Sequence, residues 1–340
     1  MQADRQPLVS VVIPCYNEEE TIGQVLEALA DQSYPLSCLE VLVVDGMSTD
    51  ATRAQIAGFS VRRPELPVRV IDNPRRAIPT AMNLGIAQAR GEYVMRMDAH
   101  AQPNRDYVAR CVALLQAGAG DNVGGRWLIV PGAETSQARA IALAVSHPFG
   151  IGDARYRYGE RAAYVDTVPF GAFRRDLFER VGSYDEQLLS NEDYDLNYRI
   201  RQAGGRIFFS PDIRCFYRAR RTLAALARQY FRYGWWKVRM LRKYPAAIRW
   251  RQLAAPAFVA GLSGLGLLAL LIPGIGWAWL ALVAVYLLSG GILAVRLARR
   301  QGAGWRVAGW LLLAFATLHL SWGAGFWASL PGALLWRPRG

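Results

Sequence analysis

Residues 213–340 contain no aspartate and no glutamate. All 27 acids of this 340-residue chain lie before residue 213 beside 22 of its 40 basic residues, and the other 18 follow. The first part therefore carries a net −5 and the second +18. That split excludes a uniformly basic nucleic-acid binder. An acidic soluble part joined to a basic, apolar part points to a domain seated on an anionic membrane surface. Lysine is nearly missing, two against 38 arginines, a compositional mark of a GC-rich bacterial genome. Cysteine is scarce too. Cys15, Cys38, Cys111 and Cys215 form no CxxC and no metal-type spacing, which leaves reduced thiols in a cytoplasm-facing protein. With 52% hydrophobic residues and 20% charged, the chain is neither disordered nor fibrous. It is long enough for one large or two modest domains.

Charge of either sign is missing from Gln252 to Val295 and again from Val307 to Trp336. Pro273-Gly274-Ile275-Gly276 divides the first stretch. A bilayer crossing takes roughly 20 apolar residues, so spans are expected at about 253–272, 277–295 and 307–330. Trp277, Trp279, Trp305, Trp310, Trp327 and Trp336 fall near their ends, as interface anchors do. Arg249 and Arg251 before the first span belong on the cytoplasmic side. Arg296, Arg299, Arg300 and Arg306 between the last two spans belong there as well, and so does the N-terminal domain. Met1–Ser10 has neither a basic start nor a long apolar core, so export of that domain is not expected. An odd span count puts Arg337 and Arg339 outside, unless Gly323, Gly325 and Pro331-Gly332 make the last segment re-entrant. Between the parts, Thr222–Lys243 is amphipathic. Leu223, Leu226, Tyr230, Gly234, Val238 and Leu241 recur at helical spacing, opposite Arg228, Arg232, Arg239 and Lys243. A basic amphipathic helix before a span is expected in the headgroup layer. The resulting division is a soluble domain over 1–215, interface helices over 216–252 and membrane helices over 253–336.

In the first two hundred residues, β-branched runs at Val9–Ile13, Glu40–Val44, Val68–Ile71 and Tyr93–Met97 alternate with helical stretches at Glu19–Ala30, Thr49–Ala57 and Pro79–Ala89. That is the pattern of βαβ units and a mostly parallel, Rossmann-like sheet. Ligands of such sheets bind beyond the carboxyl ends of the strands. Those ends carry Pro14-Cys15-Tyr16-Asn17-Glu18, Asp45-Gly46, Asp72-Asn73 and Asp98-Ala99-His100. No GxGxxG follows the first run and no glycine-lysine phosphate loop occurs, so the common dinucleotide and NTPase cradles are missing. Acids at the rim repel phosphates unless a divalent cation intervenes. Asp98 and His100, two apart, turn toward one ion, and oxygen with imidazole suits Mn2+ or Mg2+.

Several motifs follow one another along the chain. They are Ser10-Val11-Val12-Ile13-Pro14-Cys15-Tyr16-Asn17-Glu18-Glu19, Val43-Val44-Asp45-Gly46-Met47-Ser48-Thr49-Asp50, Met82-Asn83-Leu84-Gly85-Ile86-Ala87 and Gly91-Glu92-Tyr93-Val94-Met95-Arg96-Met97-Asp98. Gly171-Ala172-Phe173-Arg174-Arg175 and Asn191-Glu192-Asp193-Tyr194-Asp195-Leu196 continue the series, and together these motifs resemble family 2 glycosyltransferases of the GT-A fold. The run Gln229–Lys237 and the three spans resemble the membrane-bound exopolysaccharide, succinoglycan-type glucosyltransferases. The resemblance implies that Pro14, Tyr16 and Glu18 border the nucleotide and that Asp45 contacts uracil or ribose. It also implies that Asp98 is the first acid of a DxD metal motif. His100 stands where the last Asp is usual, Gly46 replaces the second acid of DDxS, and Met82 replaces a frequent Arg. Arg76, or its neighbour Arg75, then meets the diphosphate.

Displacing a nucleoside diphosphate from an anomeric carbon needs a cation at the leaving group and a base at the acceptor hydroxyl. Asp193 is the expected base with Glu192 beside it, matching the family's ED motif. The two acids and Asp195 also suit a helix start at Tyr194–Ala203 through its dipole. Asn83 and Gly171 are expected to be structural. Arg218, Arg220 and Arg221, with Trp235 and Trp236, are assigned to a lipid-borne acceptor. The implied activity is inverting, metal-dependent transfer of glucose from UDP-glucose to a polyprenyl-diphosphate-linked saccharide at the inner leaflet, with no nucleic-acid partner. Two alternatives stand: a polyprenyl-phosphate sugar synthase, and a membrane-tethered nucleotide-sugar binder without turnover.

Overall fold

The computed structural model describes residues 6–249 and 251–335. Trp336, Arg337, Arg339 and the first five residues lie outside the described residues. The chain begins β1 (Val9–Cys15), α1 (Ile22–Ala30), β2 (Leu39–Asp45), α2 (Thr52–Arg62), β3 (Val68–Asp72) and α3 (Ile78–Gln88). It continues through β4 (Tyr93–Arg96), β5 (Ala101–Pro103), α4 (Tyr107–Gln116), β6 (Asn122–Val130), α5 (Ser136–Ala144) and α6 (Pro148–Ile151). Next come β7 (Ala163–Tyr164), β8 (Ala172–Arg174), α7 (Leu177–Val181), α8 (Glu192–Gln202) and β9 (Ile207–Arg218). Four long helices close it: α9 (Leu223–Lys243), α10 (Arg251–Leu271), α11 (Ile275–Arg300) and α12 (Trp305–Leu335).

Two compact units result. The first comprises residues 1–128 and 155–217, the second Ile129–Ala154 and Arg218 onward. The sequence division at residue 215 falls close to one boundary; the assignment of Ile129–Ala154 to the second unit is a feature that a linear reading does not contain.

The first unit is built on one mixed sheet, ordered β3-β2-β1-β4-β8-β6-β9-β5 with β7 beside β9. β3, β2, β1 and β4 are parallel. Every residue of β2 is buried and all but Pro14 of β1, as in a sheet covered on both faces. The short later strands add on antiparallel, β8 against β4 and β6, and β5 and β7 against β9. Parallel register aligns Cys15 with Asp45 and Asp45 with Asp72, so the first three strand ends finish level. Val12, Leu42, Val44, Met82, Val94 and Phe173 are among the buried side chains of the core.

In the second unit, three helices are long and apolar enough to cross a membrane: Gln252–Leu271, Ile275–Arg300 and Trp305–Ala333. α11 runs past the apolar stretch to Arg300, because arginine stems lie along a helix while their heads reach water. α12 is one helix through Gly323, Gly325 and Pro331, so these residues do not break it into a re-entrant segment. Its glycines are contact points. A Cβ on Gly325 would collide with the Phe231 carbonyl, and one on Gly234 with the Trp322 carbonyl, so α9 and α12 meet backbone to backbone. The apolar stripe of α9, including Leu226, Tyr230 and Val238, is thereby buried, while Arg228 and Arg232 remain exposed. The helix read as lying in the headgroup layer thus has protein against its apolar face. His319 bridges Tyr286 Oη and the Phe149 carbonyl oxygen, both at 2.8 Å.

Candidate active site

The loops after β1, β2 and β3 each contain a non-glycine residue with positive φ: Asn17 (53°), Met47 (61°) and Arg76 (55°). Asn191, just before α8, is a fourth at 66°. Such backbone is costly unless its surroundings impose it, and it concentrates at functional sites. Here the surroundings are visible. Asn17 N–H donates to Ser48 Oγ at 2.8 Å, Thr49 N–H to Asn17 Oδ1 at 2.9 Å and Glu18 N–H to Thr52 Oγ1 at 2.8 Å. The first two loops are thus laced together.

Tyr16, 42% exposed, projects from that lacing. The guanidinium of Arg76 lies over its ring, 5.1 Å from the centroid, and donates to its hydroxyl at 3.4 Å. A cation held on an exposed aromatic face is available to an anion. Arg75 is committed elsewhere, 2.6 Å from Glu186, so of the two arginines Arg76 is the one on the rim beside Tyr16. Gly46 explains the missing second acid: a Cβ there would stand 3.2 Å from the Tyr16 side chain, crowding its ring.

Asp45, expected at uracil or ribose, has no exposed surface. Arg53 Nε lies 2.6 Å from its Oδ2, and the Ser48 N–H and hydroxyl donate to it at 3.1 and 2.5 Å. It shapes the β2–α2 loop from behind. Arg53 also reaches Asp72 at 2.6 Å, tying two strand ends.

Arg96 ends β4 and Asp98 follows two residues on, and their side chains meet. Arg96 Nε donates to Asp98 Oδ1 at 3.1 Å, and its Nη1 donates to Glu192 Oε1 at 3.0 Å. Glu192 is 5% exposed. Burial raises its proton affinity above the ordinary range, outweighing the neighbouring Arg96 charge. Burial acts on Arg96 in the opposite sense, but the carboxylates of Asp98 and Glu192 prevail and hold it charged. Asp193 follows Glu192 at the first turn of α8. It is half-buried, accepts the Tyr194 N–H at 2.7 Å, and belongs to the same electrostatic group around Arg96. Asp195 is different. It is fully buried and paired with Arg199 at 2.9 Å, a brace within the helix.

His100 Nδ1 lies 3.3 Å from Glu18 Oε1. Burial pushes Glu18 upward, but hydrogen bonds from His100 and Thr21 outweigh it and hold the carboxyl below its ordinary range. Asp98 and His100 side chains are 22% and 31% exposed. A carboxylate and an imidazole, both reachable at one strand end, fit a divalent ion that takes its remaining ligands from a substrate. Among the described residues, no group of three His, Cys, Asp or Glu side chains is arranged to hold a metal alone. Asn83 is structural as expected. It donates to the Tyr184 carbonyl and accepts the Tyr184 N–H, both at 2.9 Å.

Two features of the site carry no motif in the sequence. Arg96 has no assigned role in the motif that contains it, though a lone cation in a buried strand is itself a signal. Tyr217 stacks on Trp127 with centroids 4.1 Å apart, and its ring lies 5.9 Å from that of His100. Nothing in spacing alone connects those three positions. In the second unit, Arg220 donates to Gln229 at 3.2 Å, Arg218 and Arg221 are exposed, and Arg239 lies over both Trp235 and Trp236, at 5.1 and 4.8 Å.

Comparison with known proteins follows this geometry. Residues 10–182 match the family described as Glycosyl transferase family 2. Over 326 residues the chain is 32% identical to the succinoglycan biosynthesis protein ExoA of Rhizobium meliloti (strain 1021), covering 94% of each. It is also 27% identical over 248 residues to a Methanococcus voltae protein, dolichyl N-acetyl-alpha-D-glucosaminyl phosphate 3-beta-D-2,3-diacetamido-2,3-dideoxy-beta-D-glucuronosyltransferase. That match covers 71% of this chain and 76% of that protein. Among solved structures, the mannosyltransferase PcManGT from Pyrobaculum calidifontis, in complex with GDP-Man and Mn2+, is similar at a TM-score of 0.57 and 23% identity. The similarity spans 98% of this chain and 87% of that one, and the shared fold is GT-A. The chain belongs to glycosyl transferase family 2.

Proposed function

We propose that this chain is an inverting hexosyltransferase that moves glucose from UDP-glucose onto a polyprenyl-diphosphate-linked saccharide, building a cell-surface polysaccharide at the cytoplasmic face of the inner membrane. One observation carries the reading: Arg96 is bonded at once to Asp98 and to Glu192, the neighbour of Asp193. Leaving-group and acceptor chemistry are thereby joined at one point. A relative named for succinoglycan biosynthesis and aligned over 94% of both chains supports the polysaccharide assignment. A second, whose name describes a dolichyl-phosphate-borne sugar, supports a lipid-borne acceptor.

In this reading Pro14, Tyr16 and Glu18 border the nucleotide, and Arg76 meets the diphosphate from the Tyr16 ring. Asp98 and His100 would hold Mn2+ or Mg2+, which when bound would offset the charge of the departing diphosphate. Asp193 takes the proton from the acceptor hydroxyl, and a single in-line displacement inverts the anomeric carbon. The arginine-rich ends of the helices support a cytoplasmic position for the first unit. Arg218, Arg220 and Arg221, with Trp235 and Trp236, contact lipid phosphate and headgroups.

The test is a screen of UDP- and GDP-sugars with native lipid extract, following nucleotide release with and without EDTA, on wild type and Asp98→Ala. The reading expects UDP release from UDP-glucose that EDTA and Asp98→Ala abolish. No release above background from any donor would instead mark a tethered binder without turnover.

A further inference from the structure

Arg96 occupies the last position of β4, where its amide donates to the Gly171 carbonyl at 3.0 Å. Its side chain is 10% exposed, so the guanidinium is sealed among its partners. The two bonds leave from different atoms, Nε toward Asp98 and Nη1 toward Glu192. Those atoms belong to one rigid plane, so the separation and orientation of the two carboxylates are set by a group that cannot flex. Asp98 stands on the strand side and Glu192 on the first turn of α8, 94 residues later in the chain. Among the described side chains, this guanidinium is the one that bonds to both acids.

We propose that Arg96 is a positioning residue that sets the Asp98 carboxylate and the Glu192–Asp193 pair in register, so that leaving-group stabilisation and proton removal act on one substrate geometry. The proposal rests on the roles given to Asp98 and Asp193 above. It differs from a requirement for positive charge alone. A lysine supplies the charge, but through a single nitrogen on a flexible stem, which meets one carboxylate and releases the other. Misplacement of a catalytic group by about 1 Å costs on the order of 100-fold in rate.

The experiment compares wild type, Arg96→Lys, Glu192→Gln and the double variant, as full-length proteins in detergent with native lipid extract. UDP release from UDP-glucose gives kcat and donor KM, and thermal unfolding reports the fold. Arg96→Lys is expected to unfold near the wild-type temperature and lose about 30- to 100-fold in kcat, with donor KM within about threefold. Glu192→Gln loses kcat by about tenfold or more at unchanged KM, and the double variant is no worse than the poorer single, because both break one tie. A merely structural arginine would instead lower the unfolding temperature and the active fraction together. Arg96→Lys with wild-type kcat, or losses that multiply in the double variant, overturns the proposal. Should Arg96→Lys fail to fold, Glu192→Gln decides alone, and unchanged kcat in it is equally fatal. A wild type that turns over no donor takes down the transferase reading as well, and that outcome is distinct from all of these.

Discussion

Arg53 Nε stands 2.6 Å from Oδ2 of Asp45, a carboxylate with no exposed surface. Arg53 itself is 42% exposed, so the pair is shielded on one side only. Removing the cation leaves a buried charge held, among the described residues, by Ser48. Arg53→Met is expected to destabilise by about 2–3 kcal/mol, below the figure for a fully buried pair. Asp45→Asn in the same chain should recover part of that loss. Chemical denaturation of the two variants and their combination measures it.

Arg75 and Arg76 are adjacent yet differently engaged, one with Glu186 and the other with Tyr16. Arg76→Ala should raise donor KM about tenfold, or 1.4 kcal/mol, with little change in kcat. Arg75→Ala removes a largely exposed ion pair and should cost less than about 1 kcal/mol of stability. Steady-state kinetics on both separates a ligand contact from a surface tie.

Asp193 and Asp195 share the first turn of α8, but only Asp195 is locked by an arginine. Asp193→Asn should cut transfer by about 10³-fold while nucleotide binding persists. Asp195→Asn should lower stability and spare the turnover of the folded fraction. Were the acceptor a lipid phosphate, already deprotonated, Asp193→Asn would keep its activity. The same assay therefore chooses between two acceptor chemistries.

Glu18 is held below its ordinary carboxyl range in the folded state. A lowered acid stabilises the fold above its unfolded value, here 4.5, and the contribution fades as pH falls through the lower folded value. Wild type should therefore exceed Glu18→Gln in stability near neutral pH, and the gap should narrow as the pH falls below 4.5. Unfolding curves at several pH values test the sign. A gap that widens in acid contradicts it.

The four parallel strands were readable to within two residues at each end, because buried β-branched runs such as Val41-Leu42-Val43-Val44 have no helical alternative of that length. The antiparallel half was not. β5, β7 and β8 have three, two and three residues, too few to show a period, and their pairing is fixed by partners far along the chain. The rim acids could be found from strand ends alone. What joins them could not, since Arg96 and Glu192 meet only after α8 packs. Nor does the motif alone reveal that the Asp45 side chain is buried against Arg53 and Ser48.

α12 is the most enclosed of the three long apolar helices, with 39% of its apolar window buried against 6% for α10. It also covers the apolar stripe of α9 through Gly234 and Gly325. Synthesis runs the other way. α9 leaves the ribosome first, then α10 and α11, and only then does its permanent cover arrive. Through that interval the stripe needs a provisional host. The order of synthesis thus leaves the α9 stripe uncovered until the last helix of the chain is made.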